Sequence, residues 1–136
     1  MKTSGYSGTP LVKKLGIKEN FKIKIINQPD YYFELFLDSP FKINPTPDNK
    51  IKKDFIHFFT TEKFELLKNL PKLKKEIELN GMIWISWPKK ASNIKTDITE
   101  DVIREVAIKN GLVDVKVCAV DEIWSGLKLV IPLKDR

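Results

Sequence analysis

Apolar and polar positions alternate first over Phe21-Lys22-Ile23-Lys24-Ile25-Ile26-Asn27, the two-residue period of a strand with one face buried. Asp54-Phe55-Ile56-His57-Phe58-Phe59-Thr60 and Met82-Ile83-Trp84-Ile85-Ser86-Trp87 are apolar on both faces, as strands in the middle of a covered sheet are. Between them Leu66, Leu70, Leu73 and Ile77 keep helical spacing, with Pro71 predicted to kink or split the helix and Asn80-Gly81 to end it. After Pro88 a polar loop runs to Thr96. A second helix follows, with Asp97 or Thr99 as N-cap, Val102, Ile103, Val106 and Ala107 as its apolar face and Asn110-Gly111 as its stop. Two closing strands, Leu112–Val120 and Leu127–Ile131, are joined by too few residues for a crossover helix, so they are predicted to be antiparallel.

The segments outside this alternation are shorter. Thr9 and Pro10 open a brief helix that Gly16 stops. Asp30 to Leu37 is read as a short helix. Residues 38–53, with Pro40, Pro45, Pro47, Asp48 and Asn49, form a loop with an extended piece at Phe41–Ile43. Strand–helix alternation ending in a reversed hairpin predicts one Rossmann-like α/β domain over 1–136, with residues 1–9 as a flexible arm. Its mostly parallel sheet of about five strands has the layout of methyltransferases, truncated. The strand order places Phe21–Asn27 at one edge, next to Asp54–Thr60 and then Met82–Trp87. The 136 residues fall short of a complete sheet of that type, and the loss falls on the Pro-rich loop.

Two stretches carry a family resemblance. Gly5-Tyr6-Ser7-Gly8-Thr9-Pro10-Leu11 with Lys13-Lys14-Leu15-Gly16-Ile17 resembles the opening of a bacterial family labelled a domain of unknown function, number three-zero-five-two in its series. Trp84-Ile85-Ser86-Trp87-Pro88-Lys89-Lys90 and Trp124-Ser125-Gly126-Leu127 resemble later parts of the same family, so the likeness spans nearly the whole chain. The resemblance implies a single Rossmann-like domain and brings no reaction, cofactor or catalytic residue.

Composition narrows the function classes. Hydrophobic residues make up 42% and charged residues 31%, a globular balance rather than a disordered one. One Cys and one His exclude an internal disulfide and a Cys/His zinc site. Met1 and Lys2 lead into small polar residues and no apolar run is long enough for a membrane span, so a cytoplasmic protein without membrane attachment is expected. The net charge of +6 divides unevenly: residues 1–75 hold 15 Lys against 8 acids, and residues 76–136 hold 9 Lys and Arg against 10 acids. Only Arg104 and Arg136 are arginines. Base reading and phosphate forks favour Arg, so nucleic acid is disfavoured as a partner and most of the lysine reads as solvated surface.

Candidate chemistry is sparse. Cofactor loops of dinucleotide enzymes and methyltransferases need glycine after the first strand, whereas here Asn27-Gln28-Pro29-Asp30-Tyr31 follows. Neither Asp38 nor Asp48 is placed to hold a ribose. No cofactor, metal site or catalytic residue is therefore expected. The most loaded loop at the carboxyl end of the sheet offers Trp87, Lys89, Lys90 and Ser92, followed by Lys95, ahead of a helix start, a candidate site for an anionic small molecule. Ser7, Thr9, Lys13 and Lys14 make a second candidate anion site. His57, between Phe55 and Phe59 on one strand face, is read as a buried neutral histidine rather than a base. Cys118 is read as a packing residue, Asp121 and Glu122 as solvated turn carboxylates, and Trp124 as a hydrophobic plug or an anchor for a partner protein. The resulting expectation is a non-catalytic binding domain. Its alternatives are an enzyme or binder of a phosphate- or nucleotide-bearing ligand at the carboxyl end of the sheet, and a weak nucleic-acid binder.

Overall fold

The computed structural model describes residues 8–136. Strands β1 (Ile23–Ile26), β2 (Lys53–Phe59), β3 (Ile77–Pro88), β4 (Val113–Ala119) and β5 (Trp124–Val130) form one sheet in the order β1-β2-β3-β5-β4. β1, β2 and β3 are parallel, and β5 runs antiparallel to both β3 and β4. This is the mixed sheet with a reversed hairpin that the patterning implies, with β1 at the edge as expected. Helix α1 (Leu11–Lys14) and a 3-10 turn at Tyr32–Phe36 cover one face; α2 (Lys63–Lys75) and α3 (Glu100–Lys109) cover the other.

Strand alternation sorts the core into two layers. Ile56, Phe58, Ile83, Ile85 and Trp87 face α2 and α3, where Leu66, Leu70, Ile103 and Val106 meet them. Phe55, Phe59, Met82 and Trp84 face the other way, against Leu11, Leu15, Tyr32 and Phe36. The Trp84 indole donates from Nε1 to the Leu15 carbonyl at 2.9 Å, fastening α1 to the middle of the sheet.

Several local expectations are corrected. Asn80-Gly81 does not stop a helix: α2 ends at Lys75, and β3 already runs from Ile77. Gly81 is there for closeness, since a Cβ at that position would lie 2.9 Å from the Lys53 carbonyl oxygen and 3.1 Å from the Glu78 carbonyl oxygen. Pro71 neither splits nor ends α2, which continues through it at an exposed position. The short helix read over Asp30–Leu37 is a 3-10 helix at Tyr32–Phe36, Phe41–Ile43 takes no part in the sheet, and β5 starts at Trp124 rather than Leu127.

The caps of α3 are as read. Thr99 accepts the Val102 amide at 3.2 Å, and Gly111 takes a φ of 71°, a left-handed angle that glycine adopts without strain. Arg104 then ties α3 to β4, donating to Asp114 at 3.0 Å, to Asp101 at 2.9 Å and to Glu100. Thr99→Ala is expected to cost about 1 kcal/mol through the lost cap, which urea unfolding measures directly.

Candidate functional site

Sheets with parallel strands bind ligands above their carboxyl ends, where loops and helix starts converge. Here that end is divided into a closed part and an open part. The chain leaves β1 through Asn27, whose φ of 60° turns it sharply, and Pro29-Asp30 bring Tyr31 over the sheet. Tyr31 donates its phenolic proton to Asp121 Oδ2 at 2.6 Å, a bridge from the loop after β1 to the β4–β5 turn, 90 residues away. Asp121 Oδ1 accepts the amides of Ile123 and Trp124, both at 2.8 Å. The expectation of a solvated Asp121 is corrected: it is buried, because it organises the turn. Burial and the adjacent Asp121 carboxylate push the Tyr31 hydroxyl well above its ordinary range, so it stays a donor. Trp124 packs edge-on against Phe59 with ring centres 5.1 Å apart, completing this roof as a plug.

Beneath the roof runs a buried polar chain. Tyr32 Oη and His57 Nδ1 are 2.9 Å apart, and His57 Nε2 and Ser86 Oγ are 2.7 Å apart. A serine against an imidazole that a third group orients is the arrangement of an activated nucleophile. All three residues are wholly buried, Phe59 stacks on the imidazole at 4.2 Å, and no described cavity reaches Ser86. The chain of hydrogen bonds ties the Tyr32–Phe36 turn to β2 and β3 through the middle of the core. Burial lowers the His57 pKa to about 3 and raises that of Tyr32, keeping both neutral.

The open part lies between the loops that follow β2 and β3. Thr61, Glu62, Phe64, Lys95, Thr96 and Asp97 line a cavity of about 540 Å³. Thr96 Oγ1 donates to the Thr61 carbonyl at 2.6 Å, and Asp97 Oδ1 accepts the Lys63 amide at 2.7 Å, so the two loops are laced together. The Phe64 ring remains 66% exposed beside Glu62, Lys95 and Asp97.

The sequence-derived candidates are distributed differently. Trp87 belongs to the core under α2 and α3. Ser92 closes a local turn, donating to the Lys89 carbonyl at 2.6 Å and accepting the Ile94 amide at 3.2 Å. The Lys89 amide donates to Ile123, and Lys90 is exposed. From the same loop, Lys95, Thr96 and Asp97 line the cavity described above. In the second group, Ser7 lies outside the described residues. Lys13 is exposed, Thr9 is half-buried, and Lys14 turns to β4, donating to the Ala119 carbonyl at 3.4 Å. Cys118 is half-buried; burial raises its thiol, with Lys14, Lys116 and Lys89 acting against the rise. Among the described residues no group of three or more acidic, His or Cys side chains is placed to hold a metal ion, and no helix is long and apolar enough to cross a membrane.

No protein-family model matches the chain, and no curated protein matches it. Solved structures do. A ribosomal protein L11 methylase from Lactobacillus delbrueckii subsp. bulgaricus superposes with a TM-score of 0.55 at 12% identity, covering 89% of this chain and 74% of its own. The fold is that of the methyltransferases. LepI in complex with S-adenosylmethionine (SAM) gives 0.55 at 14% identity over 97% of this chain, which spans only 49% of LepI. The CcbJ methyltransferase from Streptomyces caelestis gives 0.53 at 5% identity, over 89% and 86% of the two chains.

These relatives in fold overturn the expectation of a non-catalytic binding domain, and with it the phosphate-ligand and nucleic-acid alternatives. Two of the three are a methylase and a methyltransferase, and LepI was solved in complex with SAM. At such identities the likeness establishes the fold alone. A SAM-type cofactor in the usual place would need room above β1, glycine in the turn and an acidic strand end beyond β1. Here β1 is the sheet edge, no glycine occurs between Gly16 and Gly81, and the Tyr31–Asp121 bridge spans the space above the sheet. The residues above β1 do not fit that cofactor.

Proposed function

We propose that the chain is an enzyme domain of the methyltransferase fold that takes its substrate in the cleft over the carboxyl ends of β2 and β3. The supporting observation is one juxtaposition: the loops after β2 and β3 enclose about 540 Å³ and bring two carboxylates, one ammonium and one exposed aromatic ring to its wall. That set complements an α-amino acid head with an apolar tail. The substrate ammonium pairs with Glu62 and Asp97, its carboxylate with Lys95, and its tail lies on Phe64. A thioether or sulfonium tail suits the ring best, through sulfur–aromatic or cation–π contact. A cytoplasmic location agrees with such a substrate.

L-methionine is the probe. Calorimetry is expected to show saturable binding that Glu62→Gln and Lys95→Ala each weaken about tenfold, the value of one charge-assisted hydrogen bond. Binding that neither substitution changes would move the substrate elsewhere.

A further inference from the structure

A second pair of cavities lies beside the outer edge of β1, away from the carboxyl-end cleft. The larger, of about 660 Å³, is walled mainly by Phe33, Phe36, Leu37, Pro40, Phe41 and Ile43. The smaller, of about 360 Å³, is polar and carries Lys18, Lys22 and Lys42 with one acid, Glu19. They are neighbours: Phe41, Lys42 and Asn44 line both. We propose that together they bind one free amphipathic carboxylate, its alkyl or aromatic body in the larger cavity and its head among the lysines of the smaller.

Three observations carry this. Phe33 and Leu37 lie one turn apart in the Tyr32–Phe36 segment and just beyond it, and remain 43% and 77% exposed, apolar surface that an alkyl chain would remove from water. None of the Lys18, Lys22 and Lys42 ammonium groups is paired with a carboxylate among the described residues, so three cations face one acid at one end of the apolar chamber. Pro40 and Pro45 hold the wall of the larger cavity in fixed backbone geometry, so little ordering is needed on binding. The cavities are of the finite size that small ligands fill, which favours a monomeric amphiphile over a lipid surface. The position follows from the sheet. Among the described residues no further strand pairs beyond β1, and the 38–52 loop touches its edge where the Thr46 amide donates to the Ile23 carbonyl at 2.7 Å.

The test uses decanoate below its micelle concentration, monitored by backbone amide NMR and calorimetry on the whole chain. Saturable shifts confined to the Phe33–Ile43 and Lys18–Ile23 segments are expected. Leu37→Asp and Lys42→Glu, both at exposed positions and checked for folding by circular dichroism, should each weaken binding about tenfold. Decyltrimethylammonium, with the same chain and the opposite charge, should bind at least tenfold more weakly. Equal binding of the two amphiphiles, no saturable shift with decanoate, or binding only to phosphatidylglycerol vesicles would each overturn the proposal.

Discussion

Between pH 6.5 and pH 5 the unfolding free energy is expected to fall with a slope approaching 1.4 kcal/mol per pH unit, the value of one proton. The proton is that of His57, the only histidine in the chain. In the folded state its pKa lies near 3, because the imidazole is buried with both nitrogens in hydrogen bonds to hydroxyls. In the unfolded chain it returns to about 6.5. The stabilisation from a depressed pKa is complete above the unfolded value and is lost as pH falls toward the folded one. The unfolded state takes up the proton first, and acid pulls the equilibrium its way. Carboxylates join below about pH 5, so the window above that belongs to this one side chain. Urea unfolding at half-unit intervals measures the slope, and His57→Gln should flatten it. A wild-type protein whose stability does not change between pH 5 and 6.5 would mean an exposed, titrating His57.

Asp121→Ala is expected to remove about 3 kcal/mol. The estimate combines two turn amides losing a charged acceptor and one tyrosine hydroxyl left under the roof without its partner, each worth about 1 kcal/mol or more. Tyr31→Phe deletes only the bridge and should cost about 1 kcal/mol. Asp121→Asn retains an oxygen for the Ile123 and Trp124 amides and should fall between them. The ordering Ala, then Asn, then Phe in decreasing cost, read from denaturant midpoints at constant m-value, separates the role of Asp121 in the turn from its role in the bridge. Equal losses for Tyr31→Phe and Asp121→Ala would place the whole effect in the bridge.

Much of the fold is legible in the chain because the signals are periodic and local. Phe55–Phe59 and Met82–Trp87 are apolar on both faces and became the sheet centre; Phe21–Asn27, with lysines on alternate positions, became its edge. The reversed hairpin followed from the brevity of its connection. Gly81 was misread for a physical reason. A glycine after a helix usually means a left-handed cap, whereas this one is needed because Lys53 and Glu78 carbonyls pass too close for a Cβ. Nothing in the local pattern distinguishes the two uses.

The site was less legible, since its geometry joins distant residues. His57 reads correctly as buried and neutral from its flanking phenylalanines, yet Tyr32 and Ser86 lie 25 and 29 residues from it and are brought there by the sheet. Asp121 resembles any turn carboxylate until Tyr31 arrives from the far side of the chain. The loop after β3 stands out by composition, but which of its residues face a cavity depends on the turn that Ser92 closes with Lys89. Its lysine pair drew notice; Lys95 and Asp97, nearer the helix start, line the cleft.

The most direct test of the placement of the site is a backbone amide NMR titration with L-methionine and, separately, SAM. The expected result is movement of Thr61, Glu62, Lys95 and Asp97 with both compounds, while Asn27, Gln28 and Asp30 keep their positions. Movement of Asn27–Tyr31 with SAM would show the roof opening to seat the cofactor above β1. That would contradict a site displaced to β2 and β3.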